Sequence, residues 1–285
     1  MQAEEIARSK ENWQVFLCDN GSLEPAAIRS LRSLATALGG QVNQNVRPVG
    51  LLHSDRVDAA ALGGESGAVL LNEARKSLAA GERNFLVLPF FLGPSRGITE
   101  WLPAQLEELA AEWPDLRLRV APSLHAEGDD RLARAISERV REVVSGSGIE
   151  RPFVALVDHG TPVPEVNFAR ERVGEQAGEL LGDEVAGLAT CSMERRPGPE
   201  YDFNEPLLEN LLRDQGACSP DHVVVAQFFL SPGRHAGPGG DVAKICGEAE
   251  QARSGLRTFL TEPLGDHPLV LEILEERLRE CLDAD

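Results

Sequence analysis

The stretch HVVVAQFFLSPGRH, residues 222–235, decides the fold class. Its apolar run contains β-branched and aromatic side chains without regular alternation, and a turn rich in Pro and Gly follows it. Such a run is typical of a strand buried on both faces, and therefore of a parallel sheet between helices. A similar stretch, NFLVLPFFLGPSRG, occupies residues 84–97. The first copy ends on Gly97 where the second ends on His235.

Two further pairs of segments repeat in the same order and at nearly the same offset. QVFLCDNGS at 14–22 matches FVALVDHGT at 153–161, and the segment at 117–143 matches the one at 256–281. Chance similarity rarely preserves both order and spacing. The repeats therefore indicate an internal duplication.

The boundary between the two copies falls in SGSGIERP, residues 145–152, because Ser and Gly are typical of linkers. We predict two domains, 1–148 and 149–285. LVLEILEERLREC at 269–281 has apolar side chains at helical spacing, and PAAIRSLRSLATALGG at 25–40 begins with Pro and ends with two Gly, as helices do. Alternating strands and helices predict α/β architecture, with two duplicated doubly wound parallel-sheet domains.

Composition restricts the classes of partner. The chain has 285 residues and a formal net charge of −18, so we expect neither nucleic acid nor an anionic membrane surface as a partner. No stretch is apolar for long enough to span a bilayer. The five cysteines are scattered and form no C-x-x-C pair, which favours a reducing compartment. The segment at 1–13 lacks the apolar core of a secretion signal, so we expect a cytoplasmic protein.

Three polar residues of the second half follow predicted strands. These are His159, Glu194 and His235. Since ligands of open α/β sheets bind at the carboxyl ends of the strands, we expect the three side chains to converge. Two imidazoles and one carboxylate with open coordination positions suit a catalytic site for a divalent ion such as iron, cobalt or zinc.

The first half lacks these ligands. Asn20 stands where His159 stands, and Gly97 stands where His235 stands. The region of Glu194 aligns loosely with LLHSDR, where Asp55 is the nearest carboxylate. We predict that the first copy keeps the framework and has lost the site.

Flanking residues extend the candidate site. Gly160 and Gly233 would let the backbone approach a bulky ligand. Three arginines could pair with carboxylates of an anionic ligand or remain solvated. They are Arg195, Arg196 and Arg234. Asp241, at the end of GPGGD, is predicted to cap the next helix.

Several motifs together resemble the CbiX/SirB type of sirohydrochlorin chelatase. They are DHGTPVPEVN (158–167), VVVAQFFLSPGRHAGPGGDV (223–242) and EPLGDHPLVLEILEERL (262–278). In that family, H-G-S follows the first strand and a glutamate the second, and F-L-x-x-G-x-H and L-G-x-H-P come later. The resemblance covers most of 153–282 and, more weakly, 14–143. It implies the chelatase fold and insertion of Co²⁺ or Fe²⁺ into sirohydrochlorin without a nucleotide.

The resemblance carries the family's two histidines onto His159 and His235, and its acidic residue onto Glu194, as catalytic and metal-binding residues. The link after Glu194 is longer than the family's, so Glu200 and Glu205 remain alternatives. The resemblance implies a tetrapyrrole substrate and no cofactor beyond the substrate metal. A non-catalytic tetrapyrrole- or metal-binding protein derived from a chelatase is the alternative function, and a homodimer stays open.

Overall fold

The computed structural model describes residues 13–216 and 221–283. The strands are β1 (Gln14–Asp19), β2 (Val46–Gly50), β3 (Asn84–Pro89), β4 (Arg117–Val120), β5 (Phe153–Asp158), β6 (Gly187–Ser192), β7 (His222–Gln227) and β8 (Arg257–Leu260). The helices are α1 (Pro25–Val42), α2 (Leu70–Ala79), α3 (Leu102–Glu112), α4 (Arg131–Ser147), α5 (Pro164–Leu181), α6 (Leu208–Arg213), α7 (Asp241–Ala252) and α8 (Pro268–Asp283).

The strands form two four-stranded sheets, ordered β2-β1-β3-β4 and β6-β5-β7-β8. Every strand pair is parallel, as expected when helical segments cross over between strands. The repeated order confirms the predicted duplicated α/β architecture. In each sheet the order reverses between the first and third strands, β1 and β3 or β5 and β7. A crevice at the carboxyl ends of those two strands is the usual ligand site of such a fold.

Burial follows strand position. All six residues of the central strand β5 are buried, since it has neighbours on both sides and apolar layers on both faces. The edge strands β4 and β8 are only partly covered. In the second sheet, Ala155, Val157 and Val225 belong to a core cluster that also includes side chains of α6 and α7. The continuous apolar runs of the sequence therefore mark the sheet centres.

Backbone contacts group the chain into two compact units. The first contains the described parts of 1–90, 96–122 and 274–285, and the second those of 91–95 and 123–273. Each unit holds one complete sheet. The predicted domains 1–148 and 149–285 follow the sequence repeats, and their boundary stays a prediction.

Two helices extend further than the sequence suggests. Helix α1 continues through Gly39 and Gly40 and ends before Asn43, whose φ is 52° and whose N–H donates to the Gly39 carbonyl. Helix α4 includes the Ser and Gly residues of the predicted linker up to Ser147, and Gly148, with φ 67°, ends it. In both cases a single residue in the left-handed conformation stops the helix.

No helix within 13–216 and 221–283 is both long and apolar enough to cross a membrane. Within these residues, the following cysteines are not part of a disulfide: Cys18, Cys191, Cys246 and Cys281. Cys218, and residues 1–12 on which the expectation of no secretion signal rests, lie outside the described residues.

Candidate active site

The turn after β5 places the first predicted histidine. The carboxylate of Asp158 accepts the Gly160 N–H at 3.0 Å, and Gly160 has φ 92°. A Cβ at Gly160 would collide with the carbonyl oxygen of Glu194. The Glu194 N–H donates to the His159 carbonyl at 3.2 Å. Gly160 therefore lets the loops after β5 and β6 lie against each other, and His159 projects from their junction.

The three predicted ligands lie close together. Nε2 of His159 is 3.4 Å from Oε1 of Glu194, and the ring centroids of His159 and His235 are 4.6 Å apart with planes at 68°. His159 follows β5 and His235 lies in the loop after β7, on either side of the point where the strand order reverses. The structure thus brings the predicted trio to the crevice that the fold favours.

His235 has a carboxylate partner. Its Nδ1 is 2.9 Å from Oδ2 of Asp241, the first residue of α7. Gly240, not Asp241, is the N-cap of that helix, so the predicted capping role of Asp241 is wrong. Its two carboxylate oxygens are directed instead at His235 and Lys244. The hydrogen bond from Lys244, and also that from His235, lowers the pKa of Asp241.

His159 has a weaker partner on the same ring nitrogen. Its Nδ1 is 3.1 Å from the carbonyl oxygen of Gly160. A carbonyl can only accept, so this contact places a proton on Nδ1, while Nε2 on the other side of the ring faces the Glu194 carboxylate, 3.4 Å away. The His159 side chain is 46% exposed, so the ring borders solvent.

A buried polar network supports the His159 turn. Arg170 is fully buried, and its guanidinium lies 3.1 Å from Oδ1 of Asp158 and donates to Oγ of Ser192. Ser192 also donates to Asp158 at 2.7 Å. Beside it, Oδ1 of Asn204 accepts the Thr161 N–H at 2.8 Å. These bonds satisfy a buried charge and hold the strand ends together.

Sequence reasoning missed this network, although a signal was present. Arg170 lies three residues before Val173 and three after Asn167, on the buried face of α5. A charged residue is rarely fully buried unless it is paired. An arginine on an apolar helix face therefore predicts a buried carboxylate nearby.

The acidic alternatives lie elsewhere. Glu205 pairs with Arg195, with Oε1 2.8 Å from Nε, and it also accepts the Leu207 N–H at 2.9 Å. Glu200 belongs to the 3-10 segment Pro199–Asn204, where its carboxylate lies against Gly198. Glu194 is thus the glutamate of the three whose carboxylate lies beside His159.

The flanking residues differ in their availability. Arg195 bridges Glu205 and Asp202, so it braces its own loop. The Arg196 guanidinium lies 6.0 Å from the Tyr201 ring centroid, and the Arg234 side chain is 78% exposed.

The second predicted glycine lies in the other loop of the site. The Gly233 N–H donates to the Ala236 carbonyl at 2.9 Å. This hydrogen bond closes the turn that contains His235. Gly233 therefore shapes the loop that carries the second histidine.

The first sheet repeats the backbone framework without the ligands. The Leu52 N–H donates to the Asn20 carbonyl at 3.3 Å, as Glu194 does to His159. Leu52, which lies within LLHSDR, therefore stands at the position of Glu194. The hydrogen-bond register agrees with the aligned region and places Asp55 three residues further along the chain.

Within 13–216 and 221–283, no group of three or more His, Cys, Asp or Glu side chains has the arrangement needed to hold a metal ion. The candidate site is thus a histidine pair with a neighbouring carboxylate, open to solvent, rather than a closed cage. The roles of His159, His235 and Glu194 as metal ligands stay a prediction.

Comparison with known proteins agrees with the geometry. The chain is 31% identical over 140 residues to the chloroplastic sirohydrochlorin ferrochelatase of Arabidopsis thaliana, which covers 46% of this chain and 56% of that protein. The chain therefore spans just over half the length of that relative.

Two solved structures share the fold. SirB from Bacillus subtilis with Fe³⁺ has a TM-score of 0.69 and 14% identity, over 95% of this chain and 96% of that chain. SirB from Bacillus subtilis subspecies spizizenii in complex with cobalt has a TM-score of 0.67 and 14% identity, with the same coverage of 95% and 96%.

The CbiX family model matches the chain twice, at residues 14–143 and 154–281. The two matches correspond to the two sheets and confirm both the duplication and the resemblance noted in the sequence. With both halves matched, this chain belongs to the CbiX family.

Proposed function

We propose that this chain inserts a divalent metal, Co²⁺ or Fe²⁺, into sirohydrochlorin. One observation carries the proposal: the imidazoles of His159 and His235 lie with their centroids 4.6 Å apart. They meet where the strand order reverses, in the half that keeps the family's motifs. The name of the plant relative and the metals named for the two SirB structures support the same chemistry.

The chemistry requires a group that is both a metal ligand and a proton acceptor. An ion that enters a tetrapyrrole must shed its water, and two pyrrole N–H protons must leave. A neutral imidazole can perform either task near neutral pH, because its unperturbed pKa is about 6.5. Each neutral ring has one lone pair, so His159 and His235 would first hold the ion and then accept the two pyrrole protons as the ion passes to the macrocycle. Glu194, 3.4 Å from His159, would stabilise the resulting imidazolium. The metal is a substrate here, and the proposal needs no resident cofactor.

The macrocycle would contact the loops around the histidine pair. Its carboxylates would pair with Arg196 and Arg234, whose side chains are exposed, and Gly160 and Gly233 would let the backbone approach the ring. Arg195 contributes indirectly, since Asp202 and Glu205 already engage its guanidinium.

The first repeat, 1–148, would act as a framework without a metal site of its own. This role is supported by the matched hydrogen-bond pattern, in which Asn20 and Leu52 replace His159 and Glu194. We also propose a reducing, cytoplasmic setting, which suits the scattered cysteines.

The test compares His159→Ala and His235→Ala with His222→Ala. His222 begins β7 at the opposite end of the strand from the site and is exposed, so it controls for the loss of a histidine. Metallation of sirohydrochlorin by Co²⁺ or Fe²⁺ is followed anaerobically by absorbance. We expect each site variant to lose about 10²-fold or more in rate, with the His222 variant close to the wild type.

Two outcomes would contradict the proposal. Site variants that metallate at the wild-type rate would remove the histidine pair from the reaction. A wild-type protein that binds one equivalent of metal or macrocycle and never turns over would identify a carrier derived from a chelatase.

A further inference from the structure

We propose that Asp241 is a positioning residue that sets the tautomer of His235. This inference rests on the proposed function, because it assigns His235 a task in the reaction. The contact is direct: Oδ2 of Asp241 lies 2.9 Å from Nδ1 of His235. The histidine and the aspartate are the first and last residues of the segment HAGPGGD, residues 235–241.

The chemistry of the two groups defines the tautomer. An ionised carboxylate can only accept hydrogen bonds, and a neutral imidazole has one N–H and one lone pair. The 2.9 Å contact therefore places the proton on Nδ1, and Nε2 is left with the lone pair that binds a metal ion or accepts a proton. Without the carboxylate, both tautomers of His235 would be populated.

The two histidines of the site are not equivalent in this respect. Nδ1 of His159 faces the carbonyl oxygen of Gly160 at 3.1 Å, whereas Nδ1 of His235 faces a charged acceptor. A hydrogen bond to an ionised acceptor is roughly twice as strong as a neutral one, and it raises the basicity of the other ring nitrogen. Asp241 therefore holds Nδ1 of His235 more firmly than the Gly160 carbonyl holds Nδ1 of His159.

Asp241 is itself held from several sides. Its N–H donates to the Arg234 carbonyl at 3.0 Å, and the Val242 N–H donates to the His235 carbonyl at 3.1 Å. Its other carboxylate oxygen accepts from Lys244 at 2.9 Å. Nε of Arg234 lies 3.7 Å from Oδ2. The start of α7 therefore fixes the carboxylate relative to the ring, which a mobile surface residue could not do.

The first half has lost both members of the pair. Buried side chains recur with the same spacing in the two equivalent helices: Leu102, Leu106 and Leu109 in α3, and Val242, Cys246 and Ala249 in α7. This register places Trp101 at the position of Asp241. Gly97 already stands for His235, so the histidine and its carboxylate are present together in one repeat and replaced together in the other.

A purely structural role for Asp241 would arise from its place in the first turn of α7. There, an acidic side chain interacts favourably with the positive end of the helix dipole, and the pair with Lys244 adds little at the surface. Neither effect would change which nitrogen of His235 carries the proton. A measurement of the His235 tautomer therefore distinguishes a positioning role of Asp241 from a role in helix stability.

The experiment uses the full chain with Asp241→Ala, Asp241→Asn and Asp241→Glu. Lys244→Met is the matched control, since it removes the other partner of the same carboxylate. The ¹⁵N shifts of the His235 ring are measured at a pH where the ring is neutral, and His235→Ala identifies its signals. Metallation of sirohydrochlorin gives kcat and KM. Thermal unfolding verifies that each variant is folded.

We expect the wild type and Lys244→Met to show His235 protonated on Nδ1. Asp241→Ala should shift His235 toward the Nε2–H form and lower kcat by about 10- to 100-fold, the usual range for such partners, with KM for the macrocycle within twofold. Asp241→Glu should restore part of both signals. Asp241→Asn should populate both tautomers, because an amide can accept from or donate to Nδ1.

Either of two results would overturn the assignment. One is a wild-type His235 protonated on Nε2, and the other is an Asp241→Ala protein with an unchanged tautomer or an unchanged kcat. Failure of the proposed function looks different: the wild type would not metallate sirohydrochlorin, or the histidine variants would keep full rate. In that case the ring shifts still decide whether Asp241 positions His235.

Discussion

Asp19 and Asp158 end equivalent strands but have different surroundings. Asp158 lies opposite Ser192 in the sheet and pairs with Arg170, whereas Asp19 lies opposite Gly50. Leu31 holds in α1 the place that Arg170 holds in α5, as the seventh residue of a helix that begins with Pro. Without that cation, burial raises the pKa of Asp19 from 3.8 to about 6, even though the Gly21 N–H opposes the shift.

The two aspartates therefore predict opposite responses to the same substitution. The folded pKa of Asp19 lies above its unfolded value, so the ionised carboxylate destabilises the folded protein. This cost in the free energy of unfolding is complete above pH 6 and disappears as the pH falls toward 4. Asp19→Asn should remove up to about 3 kcal/mol of that cost at pH 7 and leave stability unchanged near pH 4. Asp158→Asn should cost up to about 3 kcal/mol, because the buried Arg170 loses one of its two carboxylate partners and keeps only Glu171.

Urea unfolding of the wild type and both variants between pH 4 and 7.5 measures these differences. The gap between Asp19→Asn and the wild type should widen with pH. A gap that is constant across this range would show that Asp19 titrates normally in the folded protein.

At the scale of elements, α5 packs on β6 through a glycine. A Cβ at Gly174 would collide with the methyl group of Thr190, whereas at Gly178, one turn later, the nearest atom would be 4.0 Å away, on Leu188. Both glycines lie in the same helix and face the same strand. The two positions differ in the space available for a side chain, and helix propensities do not take this space into account.

This difference predicts opposite signs for two alanine substitutions. Gly178→Ala should stabilise the protein by up to about 1 kcal/mol, because alanine costs less backbone entropy in a helix. Gly174→Ala gains the same propensity but should lose about 1–3 kcal/mol to overpacking against β6. Chemical denaturation of the two variants provides the comparison, and equal effects would mean that α5 does not depend on Gly174 for its approach.

The helices and strands were largely predictable, and their ends were not. Continuous apolar runs such as those of β5 and β7 predict buried strands because both faces of a central strand are covered. The end of α4 depends on a left-handed residue, Gly148, and nothing in SGSG indicates which of its small residues takes that conformation. Capping is decided by one residue, whereas periodicity averages over many.

At the scale of the whole molecule, the negative net charge affects the stability of the fold. The chain has 46 acidic and 28 basic residues and a net charge of −18. Self-repulsion of this size destabilises a compact state, and salt screens it over a Debye length of about 10 Å at 0.1 M.

The net charge predicts that the melting temperature rises by a few degrees between 10 and 300 mM KCl, since about 1 kcal/mol corresponds to roughly 2–4 °C for domains of this size. Calorimetry at constant pH measures the change, with NaCl as a control for ion identity. A melting temperature that falls with salt would mean that attractive ion pairs outweigh the net repulsion.

The sequence by itself determined the duplicated parallel architecture, the family, and the proximity of His159, Glu194 and His235. These follow from buried periodicity and from the rule that strand ends share one edge of a sheet. Only the tertiary structure decided which glutamate lies beside His159, that the buried Arg170 supports the His159 turn, and that Asp241 faces His235. Those contacts depend on side-chain direction across loops and layers, and one sequence carries no record of which distant side chains meet.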